Sequence, residues 1–374
     1  MTADAPAVAL PVEPPRRTAL YDVHVSHGAM LTDFAGWLMP LRYSSESVEH
    51  RAVRSAAGLF DLSHMGQIDV VGPGATEALD YALTGFISAV KLGRARYTMI
   101  CAPDGGVIDD LVVYRLAPER FLVIANASNA VAVLAALGER VVGFDATATL
   151  RTDAALIAVQ GPASAAIVEA AIGSSVAALP YYASIDASID GEPVLLARTG
   201  YTGEDGFEVF CAGSVASRLW ARLSALGEPA GLIPAGLSCR DTLRLEAGMP
   251  LYGNELSRSG TPYEAGLGRV VRLDKASDFI GRAALAQRSV APLRTLVGLR
   301  GLSRRVPRHG FAVLDATGAV IGEITSGAPS PTLGYPIAMA YLDARHADVA
   351  EVAIDIRGSA EPAQVVALPF YKRA

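Results

Sequence analysis

Cysteine is scarce: Cys101, Cys211 and Cys239 are the three in 374 residues, and they form no CxxC pair. That spacing argues against a disulfide framework or a thiolate zinc site, and each cysteine reads as a small core residue in a reducing compartment. The six histidines, His24, His27, His50, His64, His309 and His346, show no HExxH or comparable ligand spacing, so no metal site is expected. There is no GxSxG elbow for a nucleophilic serine and no GK[ST] for a nucleotide phosphate. Neither sign of charge dominates. A net charge of −6 argues against nucleic acid as a partner, although Arg300–His309, "RGLSRRVPRH", is a local basic stretch. Long apolar runs are also missing: Phe121–Gly138 is uncharged, but Asn126, Ser128 and Asn129 interrupt it, so no membrane span is expected. The start, "MTADAPAVALPVEPPRR", has early proline and acids, unlike a secretory or transit peptide. Residues 1–17 read as a flexible leader of a cytoplasmic protein.

What the chain does have is a mixed pattern of strands and helices, too long for one ordinary core. Helical spacing over "SSESVEHRAVRSAAG", with a serine cap, precedes "FDLSHMGQIDVVG", read as one strand. Pro162 and Pro234 each read as the opening of a helix, the second running through "AGLSCRDTLRLEAG" to Gly248. After about residue 290, short strands separated by turns replace helical periodicity and predict a β-barrel or sandwich. The fold class is α+β, with a body over residues 18–285 and a β-domain over residues 290–374.

Two adjacent acids, Asp109 and Asp110, sit inside the apolar run "GGVIDDLVVY". Successive strand residues point to opposite faces, so the two cannot serve one surface. The preceding "RARYTMICAPDGG" supplies a second strand and a turn, and hence a hairpin. Pairing Ala102 with Val107 puts Met99 opposite Asp110 and Tyr97 opposite Val112. Tyr97, Met99, Asp110, Val112 and Tyr114 then share one face, an aromatic and apolar wall with a single carboxylate. Asp109 reads as an acid of the turn; Asp110, deeper in the strand, either follows the turn as well or serves a pocket, since a carboxylate there must be solvated, paired or functional.

"GYTGEDGFE" is glycine-rich but leads into a strand, not a helix, so it reads as a strand-to-strand turn. Glu208 enters that strand as its lone acid. It reads either as a strand-end acid exposed to water or as a fixed carboxylate that accepts parallel hydrogen bonds from a planar amidine-like edge, such as that of a pterin. In "SCRDTLRLEAG", Asp241 and Arg244 are three residues apart and can pair, leaving Arg240 free to face a ligand.

Taken in order, "DFAGWLMPLRY", "FDLSHMG", "GGVIDDLVVY", "ARTGYTGEDGFE", "RDTLRLEAGMPLYG" and "EITSGAPSPTLGYPIAMAYL" resemble the aminomethyltransferases, the T-proteins of the glycine cleavage system. The resemblance runs from about Thr18 to Tyr371. It implies a cloverleaf-like arrangement of three domains, with two interleaved α+β parts that bind tetrahydrofolate and a C-terminal β-barrel. It also implies transfer of a one-carbon unit from an aminomethyl group on the dihydrolipoyl arm of H-protein to tetrahydrofolate, with release of ammonia. By position, Asp110 matches the family's catalytic carboxylate, Glu208 its pterin anchor and Arg240 a folate-site arginine. Tyr97, Val112, Tyr114, Asn126, Tyr182, Tyr201 and Tyr371 match other folate contacts. No metal or redox cofactor is implied.

Two departures stand out. "SCRD" replaces the family's frequent "GARD", and residues 257–265, "SRSGTPYEA", replace a usually more acidic stretch with "SRSG". Two other readings share the architecture: a folate-dependent demethylase, and a non-catalytic folate-binding accessory protein, which would be expected to lack the Asp110 carboxylate.

Overall fold

The computed structural model describes residues 14–373. Residues 1–13 of the expected leader lie outside that range. Arg16 and Arg17, by contrast, form a short strand parallel to Trp37–Leu38, each with its guanidinium over an aromatic ring, so order begins before Thr18.

Two large sheets build the body, beside a small three-stranded one made of Arg16–Arg17, Trp37–Arg42 and Met30–Phe34. One has six strands, in the order Ser184–Ile189, Glu192–Ala197, Gly206–Cys211, Ala155–Gln160, Ala57–Asp61 and Leu232–Pro234. The other has five, in the order Ala95–Cys101, Val107–Ala117, Arg120–Ala125, Gly66–Val71 and Thr147–Leu150. The stretch expected as one strand from Phe60 to Gly72 is therefore two strands in different sheets. Asp61 ends the first by accepting from the Ser63 N–H at 2.8 Å, and a turn at residues 62–65 crosses to the second. Phe60, Leu62, Tyr114, Ile124, Leu156 and Phe210 fill the space between the sheets. Each fully buried large apolar side chain contributes roughly 1.5–3 kcal/mol.

Helix Leu237–Glu246 closes one edge of this space, placing Cys239 and Leu243 in the shared core. It does not begin at Pro234, which ends a strand. Gly236 precedes it, at a point where a Cβ would lie 2.4 Å from the Leu41 carbonyl and where the N–H donates to buried Glu49. The other expected proline start is displaced too, since that helix spans Ser164–Ile172. Residues Arg294–Val366 contain a closed six-stranded barrel.

The barrel is fastened to the body at Glu246, the last residue of the Leu237–Glu246 helix. Its fully buried carboxylate accepts from Arg54 at 2.8 Å, Ser330 at 2.5 Å, and Thr332 through both its N–H and its hydroxyl. His50 lies 3.1 Å away. Arg244, on the same helix, meets Asp241, Glu255 and the barrel's Ser326.

Candidate active site

A cavity of about 720 Å³ opens between the two sheets and is bounded by helix Leu237–Glu246, the turn at residues 62–65 and the loop following Gly248. Its size suits a small organic ligand. Asp110, Tyr97, Val112, Tyr114, Asn126, Tyr182, Tyr201, Glu208 and Arg240 all line it. Tyr371 does not. Its N–H is tied to the Glu246 carbonyl at 2.8 Å and its ring lies 4.0 Å from the Arg54 guanidinium, which holds it at the barrel junction.

The hairpin pairs Met99 with Asp110 and Tyr97 with Val112, as the alternation predicts. Toward the turn, a bulge between Ile100 and Cys101 puts Cys101, not Ala102, opposite Val107. Met99 shares the face but not the cavity, because it packs under Leu256, Ala265 and Phe279. Tyr97 donates to Asp110 Oδ2 at 3.0 Å, and Asn126 Nδ2 donates to Asp110 Oδ1 at 2.9 Å. No cation is bonded to this carboxyl among the described residues. Burial therefore outweighs the two hydrogen bonds and pushes Asp110 up to about 6.

Asp109 corrects its expected role. It is not a solvated acid of the turn: it is fully buried and accepts from Asn126 N at 2.9 Å, Asn126 Nδ2 at 2.9 Å and Asn129 Nδ2 at 2.7 Å. Burial, followed by the Asp110 charge, raises it to about 7. The turn acid is Asp104, which accepts from the Gly106 N–H.

Glu208 sits mid-strand between Ala158 and Ala197 on the two neighbouring strands, and these small residues leave room above it. Thr199 and Tyr114 hydroxyls both bond its Oε2, at 2.5 and 3.2 Å. Oε1 has no described partner and is available to a ligand donor. The neighbouring glycines serve packing, not phosphate. A Cβ at Gly200 or Gly206 would fall 2.0 or 2.3 Å from the buried Gln160 side chain, which cross-links the loop through Thr199 and Thr202. Arg244 does pair with Asp241, and Arg240 has no hydrogen-bonded partner among the described residues; it lies across the Tyr201 ring at 4.9 Å. Burial lowers its pKa. Tyr182 is held in the left-handed region, at φ 60°, by bonds from its N–H to the Arg198 carbonyl and to its carbonyl from the Ala95 N–H. Such a conformation costs a non-glycine residue about 1–3 kcal/mol and is kept where the surroundings impose it.

Several cavity residues had no distinct signal in the sequence. Thr199, which fixes Glu208, has no spacing or charge that marks it, and Leu62 and Met65 were hidden inside a presumed strand. The cavity also takes in His64, which burial drops to about 4, keeping its ring neutral. Of the departures, Ser238 lines the cavity, while Cys239 is core. The "SRSG" stretch props the hairpin: Ser257 and Gly260 carbonyls both accept from Val107 N–H.

Residues 20–275 match the GCVT N-terminal domain, and residues 294–372 the glycine cleavage T-protein C-terminal barrel domain. The chain belongs to the glycine cleavage T-protein family. It is 61% identical over 366 residues to an aminomethyltransferase of Streptomyces avermitilis, covering 96% of this chain and 98% of the relative. It is 43% identical over 361 residues to one of Bacillus subtilis, covering 96% and 99%. The crystal structure of the glycine cleavage system aminomethyltransferase T from Bartonella henselae superposes with a TM-score of 0.90 at 37% identity, covering 96% of this chain and 98% of that one. Among the described residues, no cluster of three or more His, Cys, Asp or Glu could hold a metal ion. No described helix is long and apolar enough to cross a membrane.

Proposed function

We propose that the protein is a tetrahydrofolate-dependent aminomethyltransferase of glycine cleavage, working in the cytoplasm on the dihydrolipoyl arm of H-protein. The observation that carries this reading is Asp110, a carboxylate without a bonded cation on an aromatic and apolar cavity wall, in a chain whose relatives share the activity across nearly their whole length. The cavity suits a reduced pterin: Glu208 offers an unengaged oxygen to ring N–H groups, Val112 and the tyrosines offer flat contact, and Arg240 is free to pair with an anionic or carbonyl group.

Tetrahydrofolate would supply two nucleophilic nitrogens. The carbon leaves sulfur and a protonated amine to join them, and their two N–H protons end on the thiolate and the departing ammonia. Glu208 anchors and orients the heterocycle. Asp110, fixed by Tyr97 and Asn126, faces the carbon while that carbon is electron-poor, and its negative charge stabilises the transition state in a water-poor site. The aromatic walls exclude solvent from the exchange.

The test is to incubate the protein with tetrahydrofolate and aminomethyl-loaded lipoyl carrier, and to measure 5,10-methylenetetrahydrofolate and ammonia together. Equal yields of both are expected. Turnover of a methylated amine or sulfur donor, with none from the loaded carrier, would replace this reading with a demethylase. Asp110→Asn is expected to cut turnover by about 100-fold or more while tetrahydrofolate still binds.

A further inference from the structure

We propose, resting on the role of Asp110 given above, that Asp109 is a positioning residue for the transfer reaction and acts on Asp110 through the Asn126 side chain. Asp109 does not line the cavity, so it touches no substrate. It nonetheless reaches the site by a short route. Asn126 Nδ2 lies 2.9 Å from Asp109 Oδ1 and 2.9 Å from Asp110 Oδ1, so the two hydrogens of one amide nitrogen serve both acids. The Asn126 backbone N–H is also committed to Asp109, and Asn129 Nδ2 clamps the same carboxylate from the start of the next helix. Without Asp109, the Asn126 side chain would be held only by Asp110, through its carboxylate and its backbone carbonyl.

The arrangement has a titration built into it. Every group bonded to Asp109 is an N–H donor, which favours the ionised carboxylate. A proton on Asp109 would turn these charge-assisted bonds into weaker neutral ones and set an O–H beside the Asn126 backbone N–H on Oδ2, loosening Asn126 and with it Asp110. Burial and the adjacent Asp110 charge bring this event close to neutral pH, at about 7. The other ionisable groups facing the pair are phenols. Tyr97, Tyr182 and Tyr201 face Asp110, and Tyr252, itself near Arg258, feels both acids. No cation is bonded to either carboxyl among the described residues.

The expected result is that Asp109 sets the acidic limb of the activity profile. Asn129→Ala, outside the cavity, removes a donor to the charged form and should move the limb of kcat/KM to higher pH by about half to one pH unit. Asp109→Asn removes the titrating group, should lower kcat about tenfold and should move the limb to lower pH by about one pH unit. Tetrahydrofolate Kd should stay within about twofold in both variants, since neither residue lines the cavity. The measurement is the pH profile of carrier-dependent turnover by the full chain, with thermal unfolding as a check on folding. If Asp109→Asn fails to fold, Asn129→Ala decides alone. A limb left in place by Asn129→Ala overturns the proposal while Asp110 keeps its role. Wild-type turnover by Asp110→Asn would overturn both.

Discussion

Glu246 and the Asp109–Asp110 pair are buried carboxylates, each met by several hydrogen-bond donors, yet they are pushed in opposite directions. Glu246 is held down to about 2, whereas the pair rises to about 7 and 6. Desolvation acts upward on all three. The difference lies in the company each keeps: Glu246 has Arg54 and His50 against it, while the pair has only amides, a phenol and each other. One region uses buried charge to fasten the barrel to the body, and its protonation state is locked. The other withholds a compensating cation, and its protonation state stays poised near neutrality, as suits a site where charge must act on a ligand.

The strongest way to break the comparison is to remove the cation. Arg54→Met leaves Glu246 and Glu204 buried without it and should destabilise the fold by about 3–5 kcal/mol, read by urea unfolding. If stability is unchanged, the contrast does not rest on Arg54. A smaller effect is expected at a fourth carboxylate, that of Glu208. Glu208→Gln keeps the shape but loses the charged acceptor, and should weaken tetrahydrofolate binding by about tenfold in equilibrium titration. Unchanged affinity would remove Glu208 from the pterin site.

The subtlest test is the pH dependence of stability. Glu246 has a folded pKa below its ordinary value of 4.5, so its stabilising contribution is present above about 4.5 and is lost as pH falls toward 2. Asp109 has the opposite sign. Its folded pKa lies above 3.8, so its contribution is greatest below about 3.8 and is lost as pH rises through 7. Unfolding free energies measured across pH should therefore show a shallower decline on the acid side in Glu246→Gln, and a shallower decline between about pH 4 and 7 in Asp109→Asn. Wild-type slopes in both variants would show that the two sites do not differ in this way.

Much of the site was legible because strand alternation is a strong local rule. The Asp110 face, its pairing with Tyr97 and Met99, and the freedom of Arg240 beside an Asp241–Arg244 pair all follow from spacing. What was hidden depends on contacts distant in sequence. Asp109 looked like a turn acid because Asn126 and Asn129, which bury its charge among donors, arrive on the next strand and helix. Pro234 looked like a helix start because nothing nearby reveals Leu41 pressing against Gly236. Tyr371 carries the family pattern, but Arg54 draws its ring to the barrel junction.

Helix Leu237–Glu246 presents Arg240 to the cavity, Arg244 to Ser326 and Glu246 to Ser330 and Thr332. These three side chains keep their bearings only while the residue count between them is preserved. One extra amino acid inserted after Arg240 would swing everything beyond it by about 100°. Arg240 would still look inward while both barrel fastenings turned away, so chain length along this rod helps to set the barrel's orientation against the body.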